Sequence, residues 1–456
     1  MTSLNVDKSL PQPFCLMLHN CQLDLKVFLR GWEGRGYIDL RRHKEVGWQI
    51  SLREEAFEEV RVEEEFITCR VAEGGYGVAS TSRVDVEHIR SAMNRAQKLA
   101  HLHKKTVNLA PVNTETGYRR HLAYGVFDED EAFSLLSDIA AKLKVRAGSL
   151  YARSEIILSH SLVSSSLVTS EGTEVCEEFP LTDIVIYLTA RLFKLGYASY
   201  VAGGLGGLEV LTRKDWWDVV DKLVNRAVSQ IRASPLSPLE RGKHFKVVLD
   251  SEAAGALAHE VAHLLEGGAW MKRFAELDLA EDVEVIDDPT LPIGYGSFTW
   301  DSEGVKSRKK SLLSRDGVNG LHTRLTASDG CEAGNARGER TVPAPLMSNV
   351  YFKSSDWRVD EMLQDMRNGI YAEGVIRCDI DLSDGTLELT PEIAYLVEDK
   401  ELKTPIKRPK LRGAITTILK RIDAVGRSIN LRPNLEKGCR ISEGGPYIRI
   451  NGLQCS

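Results

Sequence analysis

Between Asp250 and Gly267 the chain leaves room for only one kind of structure. The run Ser251-Glu-Ala-Ala-Gly-Ala-Leu-Ala-His-Glu-Val-Ala-His-Leu-Leu-Glu266 has no proline, a single glycine, and an excess of alanine and leucine, a composition that favours helix over any alternative. Asp250 or Ser251 can cap its start, and Gly267-Gly268 ends it. The preceding His244-Phe-Lys-Val-Val-Leu-Asp250 reads as a short buried strand with a polar stop. On a helix of about four turns, Leu257, Val261, Leu264 and Leu265 can pack into a core. His259 and His263, four residues apart, then share one face and can grip a single metal ion. Glu260, next to the first histidine, is placed to take a proton from a water that the metal activates.

Two histidines do not complete a catalytic zinc site, which takes three protein ligands and keeps one position for water. Glu266 follows His263 too closely to reach a metal easily, Asp287 and Asp288 sit in a turn, and His322 lies near an expected strand. Cys439, in Asn434-Leu-Glu-Lys-Gly-Cys-Arg440, is a softer candidate that spacing alone does not select. A lone cysteine is as readily a small core residue.

The rest of the chain points to an α+β protein of two domains. With 456 residues, 43% of them hydrophobic and 27% charged, it can build more than one core. From Trp48 to Val71 side chains alternate as in strands, and Gly74-Gly75 marks a turn. Val86, Ile89, Met93, Ala96 and Leu99 recur at helical spacing behind a cap at Asp85, and a second helix is expected over 128–143. Residues 149–168 and 183–190 read as strands. The run Gly203-Gly-Leu-Gly-Gly207 lacks a following Gly-Lys-Ser/Thr and predicts a turn, not a phosphate loop. Residues 215–233 form an amphipathic helix with Trp216, Val219, Val220, Leu223, Ala227 and Ile231 as its buried stripe. Pro235 and Pro238 stop it, which predicts a boundary between an N-terminal α+β domain, 1–234, and a strand-rich domain, 235–456, that carries the histidine helix.

A formal net charge of -6 argues against nucleic-acid binding. Lys306-Ser-Arg-Lys-Lys310 is expected as a solvated turn, and Glu63-Glu-Glu65 as the polar part of a strand. Met1 to Leu10 lacks the apolar core of a signal peptide, and no apolar run approaches a membrane span. Eight cysteines without a CxxC pair predict reduced thiols and a cytoplasmic protein.

Several segments, in order, resemble the TldD/PmbA family of metallopeptidases, and specifically its metal-bearing TldD-like branch. They are Tyr76-Gly-Val-Ala-Ser-Thr81 with the helix after it, Val247 to Gly267, Gly296-Ser-Phe-Thr-Trp-Asp-Ser-Glu-Gly304, Pro343-Ala-Pro-Leu-Met-Ser-Asn-Val-Tyr351, Tyr371-Ala-Glu-Gly374, and Gly438-Cys439 with Tyr447-Ile-Arg-Ile-Asn-Gly452. The similarity runs from about Arg61 to the end. One departure is that the two histidines stand one residue closer than in many members. The resemblance implies His259, His263 and Cys439 as ligands, with Cys439 as thiolate, Glu260 as general base, and zinc as the metal, with iron as the alternative.

That resemblance implies a cytoplasmic peptidase for unfolded or extended peptides, including maturation of ribosomally made modified peptides. It also implies a homodimer or a heterodimer with a metal-free homologue. His322, Arg337 and Asn349 are candidate substrate contacts, with His322 and Arg337 also considered as oxyanion donors. Leu346 to Phe352 is the strand on which a peptide could pair. The competing functions are a non-hydrolytic scaffold subunit and a metal-dependent peptide-tailoring enzyme. A purely structural zinc has no need of Glu260, which disfavours the scaffold.

Overall fold

The computed structural model describes residues 24–32, 36–103, 105–121, 127–328 and 330–456. Its architecture is α+β. The alternation in the N-terminal part forms a seven-stranded sheet. Two long strands, Tyr37–Arg53 and Ala56–Glu73, pair antiparallel throughout. They turn at Glu54-Glu55, whose φ of 48° and 72° are the left-handed values a two-residue hairpin requires. Gly75–Thr81 extends one side, while Tyr151–Thr169, Glu174–Arg191 and Leu195–Leu205 extend the other. Because strand side chains alternate between faces, Ile38, Leu40, Ile50, Ile156 and Ile186 all point to one side. There they meet the helices Val86–Leu102, Glu129–Ala147 and Trp216–Arg232. All six stripe residues of the last helix are buried. The glycine-rich run ends a strand: a Cβ on Gly204 would lie 2.1 Å from the Ile293 carbonyl oxygen.

The opposite sheet face meets the C-terminal part through Arg440 on Glu45 (2.5 Å), the Tyr295 hydroxyl on Asp183 (2.8 Å) and Ser199 on Glu392. That part holds a six-stranded and a nine-stranded sheet. The helix Ser251–Leu265 touches strands of both, including Asn349–Phe352 and Cys439–Gly445 of the first, and His244–Leu249 and Arg377–Ile380 of the second. The first sheet ends at Leu205 and the next begins at His244. Between them, Trp216–Arg232 packs on the first sheet and also reaches strands Ile393–Glu398 and Glu401–Ile406.

Two expectations are corrected. Lys310 does not belong to a solvated turn: it opens strand Lys310–Ser314, is buried, and donates to Asn335 Oδ1. Burial lowers its pKa to about 8. Strand Asn349–Phe352 offers no edge to a peptide, since it pairs with Val285–Asp287 on one side and Cys439–Gly445 on the other.

Candidate metal centre

Asp250 fixes the histidine helix in place. Its carboxylate caps Ala253 N–H (2.9 Å), accepts from Gly374 N–H (2.9 Å) and pairs with Arg226 (2.8 Å). Gly255 lets the helix lie against the strand that carries Glu443, because a Cβ there would stand 2.4 Å from Gly444 Cα. His259 and His263 emerge with their Nε2 atoms 2.9 Å apart. Glu266 lies 2.7 Å from His263 Nδ1 and is itself held by Lys437. Glu443 Oε2 lies 2.7 Å from His259 Nδ1, though off the axis of the ring N–H. Arg432 fastens Glu443 at 2.5 and 2.8 Å.

A carboxylate only accepts, so His263 Nδ1 carries the proton, and with the Glu443 charge favouring the same tautomer of His259 both rings turn an Nε2 lone pair into the same space. Two lone pairs this close repel unless a proton or cation lies between them. Imidazoles backed by carboxylates are the surroundings zinc-binding histidines have. The donor set therefore fits a divalent metal of the zinc type. Glu436 adds a carboxylate 3.8 Å from each Nε2. Among the described residues, His259, His263 and Glu436 form a group whose ligand atoms lie within 4.8 Å of one another.

Electrostatics follow from burial. Burial alone would lower the His259 pKa, but Glu443 outweighs it and the value is raised. Burial would raise Glu443, but Arg432 and His259 hold it at about 2. Glu260 is pushed to about 7, chiefly by burial, with His259 pulling down and Asp379, Glu443 and Glu436 pushing up. A carboxyl group near neutrality can both take and return a proton.

The three residues open on a cleft of about 560 Å³. One wall is strand Arg377–Ile380, which among the described residues pairs with Thr386–Thr390 alone and so ends the nine-stranded sheet with an open edge. The other is the hairpin of Asn430–Glu436 and Cys439–Gly445, closed by the positive-φ pair Lys437-Gly438.

The remaining candidates are placed differently. Cys439 is the cross-strand partner of Glu436, but it is buried and does not line the cleft. Burial raises its pKa while neighbouring Arg337 pulls it down. His322, Arg337 and Asn349 do not line the cleft either. His322 is buried beside Gly268 and Gly320. Arg337 donates to the carbonyls of Gly296, Met347 and Arg440. Asn349 binds Asp288 O and Ser297 Oγ. The fold itself uses the polar groups of Arg337 and Asn349, whereas neither ring nitrogen of His322 has a hydrogen-bond partner among the described residues. Asp287 binds Ser348 and Asn335, and Asp288 caps Thr290. Glu436, Glu443 and Arg432 went unrecognised in the sequence. Gly438 after Lys437 hints at a hairpin turn, but not at what it closes upon.

Residues 242–456 match the PmbA/TldA metallopeptidase C-terminal domain. A metalloprotease of Methanothermobacter thermautotrophicus is 31% identical over 308 residues, 63% of this chain and 66% of that protein, just under two thirds of its length. One from Archaeoglobus fulgidus is 29% identical over 440 residues, 90% of this chain and 97% of that protein. A zinc metalloprotease TldD homologue of Saccharolobus solfataricus is 24% identical over 260 residues, 52% of this chain and 56% of that protein. TldE from Thermococcus kodakarensis superposes with a TM-score of 0.78 at 14% identity, covering 94% of this chain and 99% of that one, a likeness of fold.

Proposed function

Because the chain belongs to the TldD/PmbA family of metallopeptidases, we propose that it is a zinc-dependent peptidase acting on unfolded or extended peptides, including ribosomally made modified peptides under maturation. The observation that carries this is the pair of carboxylate-backed imidazoles facing each other beside Glu260 in an open cleft. His259 and His263 would hold the ion. Zinc is favoured by the name of the Saccharolobus relative, and iron is the alternative.

The hairpin would supply the third ligand. Family resemblance favours Cys439, and proximity favours Glu436. A bound ion supplies Lewis acidity to a water and to the scissile carbonyl. Glu260 takes the water's proton and returns it to the leaving amine. Glu266 and Glu443 hold the ring tautomers, and Lys437 and Arg432 hold those carboxylates. The free edge of Arg377–Ile380 offers backbone donors and acceptors to an extended peptide, which a folded substrate cannot present. We further propose a cytoplasmic dimer, formed with a second copy or with a metal-free homologue.

The test is metal content of the wild type, Cys439→Ser and Glu436→Gln, together with cleavage of an unfolded peptide. About one metal per chain, lost in one of the two variants, with cleavage that Glu260→Gln abolishes, is expected. Absence of both metal uptake and cleavage in the wild type would refute the proposal.

A further inference from the structure

Three large aliphatic side chains stand out from the walls of this one cleft: Ile376 is 62% exposed, Leu382 61% and Leu435 63%. A single exposed leucine needs no cause, but several around a functional cleft mark what the cleft receives. Ile376 and Leu382 bracket strand Arg377–Ile380, and Leu435 stands on the opposite hairpin next to Glu436. Val375 and Ile380, half-buried and packed on the core, continue the apolar wall.

Apart from Glu260 and Glu436 at the metal centre, the carboxylates and the Lys and Arg side chains around the cleft are already matched to one another. Arg377 pairs with Asp379, Lys437 with Glu266, and Arg432 with Glu443. A charged substrate side chain would have to break one of these pairs, whereas an apolar one covers surface that is otherwise wet. At strand rise, Ile376 and Leu382 stand about 20 Å apart along an extended chain, so contacts at both ends can be made by one peptide.

We infer that this cleft selects extended peptides through apolar side chains on both sides of the scissile bond, with Ile376, Leu382 and Leu435 as the specificity-determining contacts. This rests on the peptidase reading and names its substrate class. Burying even part of three such side chains is enough for about a tenfold preference.

The test measures anisotropy of fluorescein-labelled octapeptides on full-length Glu260→Gln protein, which binds without turnover. The peptides share a Ser/Ala background and carry Leu, Asp or Lys at matched positions. The Leu peptide should bind about tenfold tighter than the others. Leu435→Ser with Ile376→Ser should erase most of that preference, with circular dichroism and sedimentation unchanged. Equal binding of all three peptides overturns the inference. So does a double variant that keeps the preference, or one that changes sedimentation alone, which would make the patch a subunit contact. Wild type that keeps the Leu preference but cleaves nothing supports the selection and overturns only hydrolysis.

Discussion

Two helices of similar length, Trp216–Arg232 and Ser251–Leu265, are both capped by an aspartate yet live in different surroundings. The first packs mainly on the face of one sheet, meeting a second only along strands Ile393–Glu398 and Glu401–Ile406, buries a stripe, and leaves Trp217 and Lys222 to water. The second touches two sheets and buries 13 of its 15 residues. A helix against one sheet can be read from its period. A helix between two needs small residues where backbones approach, and its polar groups survive only beside a partner or a cleft. The histidine helix meets both conditions, with alanines and Gly255 at the contacts, and His259, Glu260 and His263 at the opening.

The strongest challenge to this contrast is Glu260→Gln. Hydrolysis should fall by about 10³-fold, the value of a lost general base. Metal-free protein should be no less stable above neutral pH, because burial penalises the charged form that glutamine lacks. Kinetics and urea unfolding check both halves. A stability loss would mean that Glu260 is a structural partner.

Gly255→Val tests the clamp itself. With a Cβ 2.4 Å from Gly444 Cα, about 3 kcal/mol should be lost, and a thermal melt like wild type would show that the second sheet can yield. Asp250→Ala should cost about 3 kcal/mol, since it removes a cap and leaves buried Arg226 short of a partner. Equal losses in Asp250→Ala and Asp215→Ala would erase the distinction between the helices.

Two histidines extend the contrast. His160, stacked on Phe127 and bonded to Thr182, is held neutral by burial to a pKa of about 4. His259 beside Glu443 is shifted upward. Unfolded chain protonates His160 near its ordinary value, so it binds more protons than native protein between that value and about pH 4. Stability is therefore fully present above the ordinary value and falls as pH drops through the window, by on the order of 3 kcal/mol. Chemical-shift titration of metal-free protein should show opposite shifts for the two rings. A His160 that titrates normally would place water in the N-terminal core. The smallest expected effect is Asp215→Ala, about 1 kcal/mol for a cap exposed to solvent.

Local sequence determined much of this molecule. Asp85, Asp215 and Asp250 cap the helices expected to begin at them, because capping needs only neighbouring atoms. The stripe from Trp216 to Ile231 is buried as its spacing requires. The i, i+4 geometry brings His259 and His263 together without help from the rest of the chain. What local pattern could not supply was the partner of each buried polar group. Glu443 reaches His259 from 184 positions away along the chain, as the residue numbers show. Lys310 looked solvated until a strand took it inside, and Arg337 and Asn349 looked free until backbone groups claimed them. Turn chemistry was legible at Lys437-Gly438, where glycine announces a positive φ, and hidden at Glu54-Glu55, where sheet pairing imposes it. The sequence by itself therefore determined the helix and its two imidazoles, since both depend on contacts within a turn. Only the tertiary structure decided which carboxylates hold those rings and which strand edge faces them, because these depend on how distant strands stack.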